Sequence, residues 1–70
     1  MKISARNQFK GTITAIQQGA VNGIVQIDIG GGNVVSSTIS MNAIKELGLA
    51  VGKPAYAIIK ATSVMVGIDD

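Results

Sequence analysis

From Phe9 onward the chain alternates, with Phe9, Gly11, Ile13 and Ala15 on one side and Lys10, Thr12 and Thr14 on the other. A period of two predicts a half-buried strand. A second alternation runs over residues 24–29, with Val25, Ile27 and Ile29 inward and Gln26 and Asp28 outward. Between them, Gln17-Gln18-Gly19 opens a turn that Asn22-Gly23 closes. Gly30-Gly31-Gly32-Asn33 predicts a hairpin loop, because glycine and asparagine tolerate the positive φ that tight hairpins need. Residues 34–39 make a third strand. The period then changes. Ser40 precedes Met41-Asn42-Ala43-Ile44-Lys45-Glu46-Leu47 and Gly48 follows, which predicts one short helix with a serine N-cap and a glycine just past its end. After Gly52-Lys53-Pro54, residues 55–60 and 63–68 read as fourth and fifth strands joined tightly at Ala61-Thr62.

Three strands, a short helix and two strands match an all-β fold, a five-stranded OB-like barrel with its helix between strands 3 and 4. Composition agrees: 11 Ile and 7 Val against 2 Leu favour a pleated surface over helices. The last two strands are apolar on both faces, and one face suffices to fill a barrel. Seventy residues, 47% of them hydrophobic, carry more apolar surface than one small core hides. A chain of this mass buries only about 60% of its unfolded surface, leaving about 4,100 Å². An oligomer, in which other copies cover the surplus, is the expectation.

The chain has neither cysteine nor histidine, which excludes disulfides, thiolate or imidazole metal sites and His-dependent nucleophiles. Asp28 and Glu46 are the only carboxylates before the terminal Asp69-Asp70, and no phosphate loop or dinucleotide motif occurs, so an enzyme is not expected. The net charge of +2 comes from scattered cations, not a basic run. Single-stranded nucleic-acid binding is the alternative that an OB-like barrel suggests. Its stacking platforms need aromatic residues, and only Phe9 and Tyr56 are present, both in apolar patterns where core packing is expected. No apolar span is long enough for a membrane, and no apolar region follows Lys2 and Arg6 as in a signal peptide, so a soluble cytoplasmic protein is expected. The usefully placed donors are the polar segment holding Arg6, the cap Ser40, and Lys60 at the end of Ala57-Ile58-Ile59.

Three segments together carry a family resemblance. Ser4-Ala5-Arg6-Asn7-Gln8, Ile39-Ser40 with the helix to Leu47-Gly48-Leu49, and Lys60-Ala61-Thr62-Ser63-Val64-Met65-Val66 resemble the molbindins, or Mop proteins. These are small molybdate-binding proteins related to the TOBE-type domains of molybdate regulators and transporter ATPases. The resemblance spans residues 1–70 as a single domain. It implies a homo-hexamer built as a trimer of dimers, with molybdate or tungstate held at subunit interfaces for cytoplasmic storage and buffering. It implies no organic cofactor, no nucleic-acid or membrane partner and no metal ligated directly by side chains. Carried over by position, the oxyanion site uses Ser4, Arg6, Ser40, Lys60 and the Ala61 backbone, and a second site lies around Gly19, Ala20 and Val21. Relatives often have a hydroxyl residue where this chain has Ala43, so the Ala43 N–H or a water would replace that donor. The chemistry is coherent: a tetrahedral dianion needs donors on every oxygen, and Arg6 and Lys60 balance its two charges.

Overall fold

The computed structural model describes residues 1–70. Its strands are β1 (Asn7–Gln17), β2 (Asn22–Gly30), β3 (Asn33–Ser40) and β4 (Pro54–Ile59), with helix α1 (Met41–Glu46) between β3 and β4. They form one curled antiparallel sheet, a half-barrel, in the order β3-β2-β1-β4. β1 serves both neighbours. Its first half pairs β4, from Asn7 opposite Ile59 to Thr12 opposite Pro54, and its second half pairs β2, from Thr12 opposite Asp28 to Gln17 opposite Ile24. At the handover Gly11 is required, because a Cβ there would collide with the Asp28 carbonyl oxygen. A bulge between Ile13 and Ala15 then shifts the alternation. Ile13 is buried as expected, but Ala15 turns outward and Ile16 takes the core side.

The core is Ile13, Val25, Ile27, Ile44 and Ala57. The β2–β3 hairpin closes through Gly31 and Gly32, both at positive φ, and the Asp28 carboxylate accepts a hydrogen bond from the Gly30 N–H at 2.8 Å. Helix α1 starts where Ser40 Oγ accepts from the Ala43 N–H at 3.0 Å. It ends at Glu46, one residue short of the expected Leu47. Gly48, at φ 62°, and Leu49 donate back to the Lys45 and Ile44 carbonyls, which satisfies two otherwise free helix-end acceptors. The helix lies over Gly23, where a Cβ would come within 2.7 Å of Ile44 Cδ1. Asn22 and Gly23 therefore belong to β2 and not to the preceding turn.

The expected fifth strand is absent. A 3₁₀ turn at Ala61–Ser63 follows β4, and residues 64–70 join no strand. The turn explains why: Ala61-Thr62 supplies neither of the positive-φ residues that a two-residue hairpin needs, so the chain does not fold back onto β4. Val64 is 50% exposed, and Met65, Val66 and Ile68 are 90% or more. The position a fifth strand would take stays open. Between the unpaired edges of β3 and β4 runs an apolar groove of about 440 Å³, lined among others by Ile27, Ile39, Leu49 and Ile58. The isolated chain is consequently loose. Only 6 of 70 residues are buried, and the accessible surface of 5470 Å² exceeds by a third the roughly 4,100 Å² of a compact monomer of this mass. No helix is long and apolar enough to cross a membrane.

Candidate functional site

Two groups of donors lie at opposite ends of the sheet. At one end, the last β1–β4 pair is Asn7 with Ile59, and the Asn7 Nδ2 donates to the Ile59 carbonyl at 3.2 Å. Arg6 and Lys60 are the residues immediately outside that clamp, Arg6 in a bend before β1 and Lys60 directly after β4. Both are exposed, and neither enters any side-chain hydrogen bond. Lys60 also opens the 3₁₀ turn, its carbonyl accepting from the Ser63 N–H at 2.9 Å. The turn leaves the Ala61 N–H without a backbone acceptor. Ser4, exposed, lies in the arm leading into β1. Sequence reasoning missed Asn7. It sits inside the polar segment that drew attention, but its positioning role shows only once β4 lies beside β1.

At the other end, β3 finishes at Ser40, opposite Asn22. The Met41 N–H donates to the Val21 carbonyl at 2.8 Å, which ties the 19–21 turn to the start of α1. Ser40 is exposed and Ala43 half-buried. The Ala43 N–H is already spent on Ser40 Oγ, so in this conformation it is not the free donor the sequence suggested. Of the second candidate group, Gly19 lines an open depression of about 250 Å³ with Gln17, Gln18, Asn22 and Thr38, while Ala20 and Val21 lie outside its wall.

One chain therefore does not unite the candidate residues. Lys60 follows β4 at the Asn7 end of β1, whereas Ser40 pairs with Asn22, beyond the Gln17 end of β1 and on the Pro54 side of the sheet. Six residues of strand, roughly 20 Å, separate those ends. Hydrogen bonds of about 3 Å to one small anion do not span that distance. The two aromatic residues do not form a stacking platform either. Phe9 pairs with Ala57 and Lys10 with Tyr56, successive register positions whose side chains point to opposite faces. At 42% and 46% exposed, neither aromatic is the core residue that the pattern suggested.

A curled OB-like sheet with a short capped helix and donor-rich, carboxylate-poor ends defines a class of small binding module. The TOBE domain family model matches residues 3–66, and the chain belongs to that family and, within it, to the molbindins. It is 71% identical over 69 residues, 99% of this chain and 100% of the relative, to a probable molybdenum-pterin-binding protein of Haemophilus influenzae. Among solved structures it is similar to MopII from Clostridium pasteurianum (TM-score 0.90, 40% identity, 96% of this chain and 100% of that one). It is also similar to ModG, a cytoplasmic molybdate-binding protein solved with molybdate bound (TM-score 0.92, 40% identity, 99% of this chain). The chain spans about half the length of ModG, 49%.

Proposed function

We propose that the protein binds molybdate or tungstate between the subunits of a homo-oligomer and so stores and buffers the oxyanion in the cytoplasm, without catalysing a reaction. The observation that carries this reading is the split donor set: Arg6, Lys60 and the Ala61 N–H at one sheet end, Ser40 at the other, each end lacking what the other has. Placed against each other across an interface, the two ends supply two positive charges and neutral donors for one tetrahedral dianion, and no unpaired charge remains. The relatives named for molybdenum or molybdate support the ligand class.

Assembly follows from the same geometry. The exposed apolar residues 64–68 of one copy have the pattern of the strand that the β3–β4 groove of another lacks. Exchange in both directions makes a dimer, and three dimers give the hexamer that the molbindin resemblance implies. We take the free oxyanion as the ligand, because no single chain presents its two aromatic residues on one face for a pterin or a nucleobase to stack on.

Thermal melting tests the reading. Molybdate or tungstate at 100 times its dissociation constant is expected to add about 2.7 kcal/mol per site and to raise Tm by about 10–20 °C. Sulfate and phosphate at equal concentration are expected to give little shift, and equal shifts from all four anions would reduce the site to a generic anion patch. With no histidine or cysteine in the chain, affinity is expected to stay within threefold between about pH 6 and pH 8 by calorimetry. A tenfold change across that window would place a different group in the site.

A further inference from the structure

We infer that the acidic tip of the tail, Asp69-Asp70, is a resident counter-ion: in the empty assembly it pairs with Arg6 and Lys60 of the neighbouring chain, and an oxyanion binds by displacing it. The inference rests on the shared site and the tail exchange proposed above, and adds to them a competitor that the chain itself supplies.

Length and direction bring the tip there. The gap between the free edges of β3 and β4 runs from Ile39 and Pro54 to Val35 and Ile59, as two grooves that share Ile27, Ser37, Tyr56 and Ile58. Beside the six residues of β4 it is roughly 20 Å long, and the tail over residues 64–70 reaches roughly 23 Å when extended. In the shared site Lys60 of one chain meets Ser40 of the next, and Val64 follows Lys60 closely, so the tail enters the neighbour's gap at the Ile39–Pro54 end. It then runs parallel to β4 and antiparallel to β3. Asp69-Asp70 arrive beyond Ile59, where the neighbour's Lys60 follows and its Arg6 stands just outside the Asn7–Ile59 pair. Neither cation enters a side-chain hydrogen bond within its own chain, whereas Lys53, at the opposite end of the gap, already donates to the Gly48 carbonyl at 3.2 Å. Without the tip, an unfilled site would leave two cations unpaired in an interface, which is costly. Two carboxylates match two cations as one dianion does, so tip and ligand balance the same charges and exclude each other.

Zero-length crosslinking of the full chain tests the contact. A carbodiimide joins a carboxylate to an ammonium as an amide only where the two touch. Molybdate-free protein is therefore expected to give a covalent pair of chains, twice 7.1 kDa, linked through Lys60 and Asp69 or Asp70. Saturating molybdate is expected to suppress that product at least about fivefold. Asp69→Asn combined with Asp70→Asn is expected to abolish it and to tighten molybdate binding about three- to tenfold, as loss of two competing ion pairs implies. Glu46→Gln, at the exposed end of α1, removes one carboxylate elsewhere and is expected to shift affinity less than about twofold. Absence of the paired product, a tip joined to another lysine in place of Lys60, or a Lys60 product that molybdate leaves unchanged overturns the inference. So does a double variant that binds molybdate no more tightly. Equilibrium dialysis of the untreated protein keeps the two readings apart, because failure of molybdate to bind there counts against the proposed function itself.

Discussion

Val64→Asp combined with Val66→Asp is expected to reduce the particle from a multiple of 7.1 kDa to the single chain. In the isolated chain these side chains are 50% and 91% exposed, so the substitutions disturb little of its own core. Their cost falls on assembly. Burying Val64, Met65, Val66 and Ile68 in a neighbour's groove is worth roughly 6 kcal/mol per tail, or about 12 kcal/mol for a reciprocal pair. Ladder hydrogen bonds on the free edges of β3 and β4 add about 1 kcal/mol each. Together these outweigh the about 4–15 kcal/mol that association costs. Each aspartate removes part of that gain and adds several kcal/mol for an unpaired buried carboxylate. Light scattering at micromolar concentration reads the result directly. An unchanged oligomer would mean that the tail is not what holds the copies together.

Lys60→Ala and Arg6→Ala are each expected to weaken molybdate binding by about 2–5 kcal/mol, or about 30- to 4,000-fold, because each leaves a buried dianion short of a charged donor. Lys45→Ala and Lys53→Ala serve as controls of equal charge change. Lys53 Nζ donates to the Gly48 carbonyl at 3.2 Å and Lys45 sits in the last turn of α1, so their loss is expected to touch helix stability slightly and binding less than threefold. Calorimetry on the four variants separates a specific site from general electrostatic attraction. Equal loss in all four would remove Arg6 and Lys60 from the site even if molybdate binds.

Much of the architecture was legible because local chemistry and tertiary need agree. Alternation placed β2, the three glycines placed the hairpin to β3, and Ser40 with Gly48 bracketed α1 as cap and stop. Two features were not legible. The bulge between Ile13 and Ala15 changes face assignments, and it arises from β1 passing from one partner strand to another, which no local signal in the 9–17 stretch reports. The tail has the composition of a strand, but a strand is defined by its pairing partner, and within one chain residues 64–68 have none. The candidate site was proposed from residue types, and the sequence gives it no place. Ser4, Arg6, Ser40, Lys60 and Ala61 read as one constellation along the sequence, whereas the sheet sends Ser40 and Lys60 to opposite ends. Asn7 escaped for the converse reason: its clamp on Ile59 exists only in the fold.

If one oxyanion is held by Lys60 of one chain and Ser40 of another, mixing two crippled variants restores binding. Lys60→Ala chains retain Ser40, and Ser40→Ala chains retain Lys60, although the latter also lose a helix cap worth about 1 kcal/mol. Each variant alone is expected to bind almost no molybdate at a concentration that saturates the unaltered protein. After the two are unfolded together in equal amounts and refolded, random assembly makes about a quarter of the interface sites intact, one chain donating Ser40 and the other Lys60. Equilibrium dialysis with elemental analysis for molybdenum is therefore expected to recover about a quarter of the unaltered protein's content. Recovery of none, with mixed oligomers verified by mass, would contradict a site shared between chains.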